Sequence, residues 1–293
     1  MPDEPVCSVF AVTSAYPGQH ANGLRLGYDH RMPVPERLNP TFASATPQPA
    51  APAVDPRDLA RERLIVALDV PSAPAAIDLV NQLEASCTWF KVGLELYVAA
   101  GPDVLKPILA RGHKVFLDLK LHDIPNTVAA AVRSAAQLGV QMLTLHAGGG
   151  PAMLTAAHKA LVGLPAPPQL LAVTVLTSMD QEQLAAVGVD RTPASQVELL
   201  AKMGATAGID GFVCSPQEVA RLRKLTGPGG VLVIPGIRPA GAAVGDQKRV
   251  ATPASALQLG ASHLVVGRPI TQAPDPAEAA DAILHEMAEA LAV

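Results

Sequence analysis

The sequence predicts an α/β fold, a (β/α)8 barrel of the TIM-barrel architecture, on three observations. Eight short β-rich runs alternate with Ala- and Leu-rich helical stretches from Leu64 to the C-terminal end. Their starts, at Leu64, Trp89, Lys114, Met142, Leu170, Gly211, Val231 and His263, lie roughly 20 to 40 residues apart, enough for one crossover helix each. Eight such units in roughly 230 residues have the size of a closed barrel. The alternative is a doubly wound open sheet. No GxGxxG follows the first run, which weakens the nucleotide-binding version of that alternative.

Each run can be read for the polar residue at its end, because catalytic groups of a barrel come from the C-terminal ends of its strands. LIVALDV leads to Asp69, and WFKVGL carries Lys91. KVFLDLK carries Asp118 and Lys120, and MLTLHA carries His146 near its end. LLAVTVL is followed by Thr177 and Ser178. VLVIPG runs into Pro235-Gly236-Ile237-Arg238, and HLVVGR into Gly267-Arg268-Pro269. Random surface placement would not concentrate polar groups at these positions so consistently.

The densest stretch is Phe116 to Val128, FLDLKLHDIPNTV, which sets Asp118, Lys120 and Asp123 within six positions. In a strand, residues two apart project to one face, so Asp118 and Lys120 stand side by side. Burying charge is costly unless it pairs or faces a polar cavity, and charges at a strand end therefore point to a site. The plain alternative is a strand-end ion pair, with Asp123 capping the helix that Pro125 begins. The loops after strands seven and eight add a second signal. Gly236 and Gly267 allow backbone N–H groups to approach an anion, and Arg238 and Arg268 supply guanidinium forks, as expected where barrels hold phosphate. Glycines that mark tight turns beside solvated arginines are the competing reading. His146, beside a Gly-rich turn, is read as a hydrogen-bonded scaffold residue, and His122 is left out of the chemistry.

Composition narrows the function further. A net charge of -4 and a pI near 6.0 give no general footprint for nucleic acid or an anionic membrane. Aromatic residues make up 3%, too few for base-stacking platforms. Cys7, Cys87 and Cys214 lack disulfide or zinc-ligand spacing, so a reducing cytoplasm fits. No apolar run reaches the roughly 20 residues a membrane helix needs. Residues 1–60 end in the Pro/Ala-rich run from Ala45 to Pro56 and are read as a disordered extension ahead of a barrel over residues 61–293. Asp3, Glu4, Asp29 and Glu36 argue against an organelle transit peptide, and Met32 offers an alternative start.

Taken together, these residues resemble the orotidine 5′-phosphate decarboxylase family from about Leu64 to Thr271. The likeness rests on Asp118-x-Lys120-x-x-Asp123-Ile124-Pro125-x-Thr127, flanked by ALDV, FKVG, TVLTS, PGIRP, GDQKR and VVGRPIT. It implies a homodimeric barrel that converts orotidine 5′-phosphate to UMP with neither metal nor organic cofactor. Loss of CO₂ leaves a carbanion at C6, which a pre-placed cation must stabilise when no electron sink is present. By the resemblance, Lys120 protonates C6, the carboxylates of Asp118 and Asp123 stabilise its charge, and Lys91 completes the network. Asp69 and Lys91 are expected at the ribose, Thr177 and Ser178 near the pyrimidine, and Arg238, Gln247 and Arg268 with Gly267 at the phosphate. The Gly- and Ala-rich segment from Gly236 to Gln247 is the expected closing loop. Asp123 and Thr127 are expected to reach into the partner's site.

Two other readings compete. The related hexulose-phosphate synthases and keto-gulonate-phosphate decarboxylases use Mg²⁺ and carry an acidic residue on strand two, where this chain has Lys91. A cation there opposes a divalent metal. A non-catalytic phosphate-ligand binder on the same fold would have no use for Lys120 between two carboxylates.

Overall fold

The computed structural model describes residues 55–239 and 249–292. Among these, eight parallel strands close into a barrel in the order of the chain. They are β1 (Leu64–Ala67), β2 (Trp89–Gly93), β3 (Lys114–Leu121), β4 (Met142–His146), β5 (Gln169–Val173), β6 (Gly211–Val213), β7 (Val231–Ile234) and β8 (His263–Val266), with β8 pairing back onto β1. Seven strands begin at the residue the sequence indicates. β5 begins at Gln169, one residue early, because Gln169 pairs with Met142.

Helix starts follow local chemistry. After α1 (Pro56–Arg63) come α2 (Ala73–Leu83), α3 (Leu94–Ala100), α4 (Leu105–Ala110), α5 (Pro125–Gln137), α6 (Gly150–Lys159), α7 (Gln181–Ala186), α8 (Pro193–Thr206), α9 (Val219–Thr226), α10 (Pro253–Gln258), α11 (Arg268–Thr271) and α12 (Pro276–Leu291). Proline opens α1, α5, α8, α10 and α12, where its missing N–H costs nothing. Asp55, Ser72, Asp180, Thr192, Thr252 and Asp275 cap helices by accepting a first-turn N–H.

Strand alternation divides the core in two. Outward residues such as Val66, Phe90, Leu117, Leu143, Phe212 and Leu264 bury against the helices. Inward residues Ile65, Ala67, Trp89, Phe116, Met142, Leu171, Val233 and Val265 fill the barrel itself. The next inward positions toward the strands' C-terminal ends are the ones free to carry chemistry.

Residues 56–60, assigned from sequence to the extension, belong to α1. Ala60 is fully buried, Asp55 accepts from Arg57 N at 2.8 Å, and Arg57 Nη2 meets Asp281 Oδ1 of α12 at 3.0 Å. Residues 1–54 of the expected extension, like Gln247 and most of the expected closing loop, lie outside the described residues.

Candidate active site

At the C-terminal end of the barrel lies an open cavity of about 610 Å³. Its apolar floor is the upper layer of inward side chains, Ala67, Phe116, Val173, Val213 and Val265. One wall is a chain of alternating charges from three neighbouring strands. Lys91 Nζ bonds Asp69 Oδ1 at 2.8 Å and stands 3.8 Å from Asp118 Oδ2, and that same oxygen takes Lys120 Nζ at 2.8 Å. The Lys91 and Asp118 side chains keep only 11% and 12% of their exposure, so each is held by the neighbouring charges of the row rather than by water. Lys120 remains one-third exposed, and its ammonium faces the cavity.

The pairing of Asp118 with Lys120 does not arise from a regular strand. Lys120 has φ 49°, in the left-handed region, and the β3–β4 register slips between Leu117 and Leu121. A non-glycine residue there carries roughly 1–3 kcal/mol of strain, which persists only when neighbours hold it. The holder is Thr144. Its buried hydroxyl accepts Lys120 N–H at 2.9 Å and donates to Asp118 Oδ1 at 2.9 Å. Sequence reading passed over Thr144, although in MLTLH it shares the inward parity of Met142 and His146. Gly93, which stands in the sequence only as the end of FKVG, is a second such position. A Cβ there would lie 2.8 Å from Lys91 Nζ and 3.2 Å from Asp69 Oδ1, so any side chain displaces the ammonium from its carboxylate.

The rest of the rim carries Thr177 and Ser178 after β5, Arg238 and Gly236 after β7, and Gly267 and Arg268 after β8, where Gly267 stands next to Asp69. Gly236 has φ 77°, a conformation its lack of a Cβ permits. Arg238 N donates to Ala251 O and Ala251 N to Gly236 O, which ties together the two ends of the β7–α10 connection. Arg249, unremarked in the sequence beyond its place in GDQKR, is buried and ion-paired with Glu218, whose other oxygen takes the Ser215 hydroxyl. Its second nitrogen donates to Leu176 O at 3.0 Å, just before Thr177. Glu95 and Gln272 also line the cavity, from positions the strand-end rule does not cover.

Asp123 and Thr127 are exposed and do not line the cavity. Asp123 does not cap α5 either. The N-cap is Ile124, whose N–H donates to Asp123 Oδ1 at 2.6 Å. His146 accepts Gly148 N–H through Nδ1 and stacks on His122 with centroids 5.2 Å apart. Burial, then the charges of His122 and Lys120, push its imidazole below the ordinary range. Among the described residues, no three His, Cys, Asp or Glu side chains gather as metal ligands.

The family model "Orotidine 5′-phosphate decarboxylase / HUMPS family" matches residues 62–283. A protein of Nitrosococcus oceani named orotidine 5′-phosphate decarboxylase is 53% identical over 227 residues, which cover 78% of this chain and 98% of that protein. One of the same name from Moorella thermoacetica is 52% identical over 235 residues, 78% of this chain and 93% of its own. The crystal structure of orotidine 5′-phosphate decarboxylase from Lactobacillus acidophilus superposes with a TM-score of 0.67 at 40% identity, covering 77% of this chain and 99% of that one. With its barrel and charged wall in place, the chain belongs to the orotidine 5′-phosphate decarboxylase / HUMPS family.

Proposed function

We propose that this chain decarboxylates orotidine 5′-phosphate to UMP, with Lys120 as proton donor and with neither metal nor organic cofactor. The observation that carries the reading is the alternating row Asp69, Lys91, Asp118, Lys120 standing above an apolar floor. Cleavage of the C6–carboxylate bond releases CO₂ and leaves the electron pair on C6. The Lys120 ammonium stabilises that charge as it develops and then gives it a proton, leaving an amine that solvent reprotonates. Asp118 aims the ammonium, and Asp69 with Lys91 meets the ribose hydroxyls. Thr177 and Ser178 face the pyrimidine. Arg238 and Arg268, with Gln247 and the backbone at Gly267, grip the phosphate, and that remote binding energy assists the chemical step.

The same reading makes the enzyme a homodimer in which Asp123 and Thr127 serve the partner's site. Support comes from their exposure outside their own cavity and from the apolar side chains Leu94, Val98 and Ile124, which are 52%, 80% and 66% exposed near the ends of β2 and β3. We place the enzyme in the cytoplasm. The described cysteines, Cys87 and Cys214, are buried free thiols, and burial pushes Cys87 up to about 12. No described helix is long and apolar enough to cross a membrane.

The test is the fall in ultraviolet absorbance as purified protein consumes orotidine 5′-phosphate in EDTA. Lys120→Ala should lose at least roughly 10³-fold in kcat. A folded wild type that is silent in EDTA and active on a sugar phosphate only with Mg²⁺ would replace this reading with that of the metal-dependent relatives. Tight UMP binding without turnover would make the chain a binder.

A further inference from the structure

We infer that Thr144 is a positioning residue for the proton donor, an inference that rests on the reading of Lys120 as that donor. Its side chain is fully buried on the inward face of β4, one inward step from Met142. A hydroxyl has one proton to give, and here the partners fix where it goes. The Lys120 backbone N–H can only donate and the ionised Asp118 carboxylate can only accept, so the Thr144 hydroxyl accepts from the first and donates to the second.

Those two bonds join the two things on which the ammonium's position depends. One is the left-handed backbone at Lys120, which the ladder to β4 does not secure because the register skips from Leu117 to Leu121. The other is the Asp118 carboxylate, whose Oδ2 holds the Lys120 ammonium at 2.8 Å while Oδ1 is fixed by Thr144. A single hydroxyl therefore sets both the root of the Lys120 side chain and the anion that receives its tip. Without it the carboxylate is free to rotate and the turn to relax, and the ammonium leaves its line toward C6. Thr144 does not line the cavity, so it acts only through Asp118 and Lys120.

The experiment compares wild type, Thr144→Val and Thr144→Ser for kcat, KM and UMP affinity. Valine keeps the shape and removes both bonds, whereas serine keeps the hydroxyl. Thr144→Val should lose roughly 10²-fold in kcat, the scale of a misplacement of about 1 Å. KM and UMP affinity should stay within about threefold, because the phosphate and ribose groups stand on other strands, and Thr144→Ser should recover kcat to within about fivefold of wild type. Wild-type kcat in Thr144→Val, a loss confined to KM, or a serine variant as impaired as the valine one would overturn the inference. Should the valine variant not fold, Thr144→Ala takes its place. If that also fails to fold, the residue is structural and the inference falls. A wild type that releases no CO₂ from orotidine 5′-phosphate defeats the parent reading instead.

Discussion

His263, at the start of β8, shows how one buried side chain can make the barrel less stable toward acid. Its ring meets Trp89 edge-on at 5.5 Å, and its Nδ1 is buried without a hydrogen-bond partner among the described residues. Burial, then the charges of Arg63 and Lys114, push its imidazole down to about 4, against a smaller opposing pull from Glu62. In the unfolded chain the same group takes a proton near 6.5, so between these values the unfolded state binds more protons. Stability from this source is intact above pH 6.5, falls as the pH drops toward 4, and declines no further below that. The full loss is about 3 kcal/mol. His113 and His146, also lowered, act with the same sign. Urea midpoints at pH 7.5 and pH 5 should differ markedly in the wild type and much less in His263→Gln, and an equal difference in both would sink the assignment. At this scale the sequence discloses residues whose charge is unusual for a strand end, which is why Asp69, Lys91, Asp118, Lys120, Arg238 and Arg268 were legible. Thr144 and Gly93 were not, because what they contribute is a pair of hydrogen bonds and an empty space, neither of which residue type announces.

Among the elements, the strands were legible because eight apolar runs had to be buried on both faces, a pattern that little else produces. The register slip in β3 was not, since lysine has no preference for φ 49° and the side chain that bonds its N–H, Thr144, lies 24 residues later. Nor was α1, whose sequence PRDLARER is mostly charged and carries few apolar residues to mark a buried face. Its attachment is tertiary. Ala60 is buried, Lys114 Nζ meets Glu62 Oε2 at 2.7 Å, and Asp281 receives both Arg57 and the Ser86 hydroxyl. Two truncations separate the helix from what precedes it. A chain beginning at Asp55 keeps the cap and the helix, and should match the full chain in kcat and Tm. A chain beginning at Leu64 loses that contact and should be less stable by at least about 2 kcal/mol, a fall in Tm of roughly 4–8 °C. Calorimetry decides this. Equal Tm for both truncations would mean that α1 contributes nothing, and lost activity in a folded Asp55 chain would give the preceding residues a role.

For the whole molecule the decisive question is whether one barrel holds a complete site. Lys120 and Asp118 face the cavity while Asp123, three residues beyond Lys120, is exposed outside it, and Ile124 beside it leaves a large apolar side chain 66% exposed. A second copy seated over this rim would cover the apolar residues and bring its own Asp123 and Thr127 to the neighbouring Lys120, so that each site would take residues from two chains. Complementation tests that arrangement directly. Lys120→Ala and Asp123→Ala should each be nearly silent alone, since in such a dimer each would spoil both sites. In an equimolar co-refolded mixture, half the dimers pair unlike chains, and each of these has one site with Lys120 from one chain and Asp123 from the other. Activity on the order of one quarter of wild type should therefore return. If Asp123 instead serves its own chain's site, every site in the mixture lacks one of the two residues, and activity stays at the level of the separate variants.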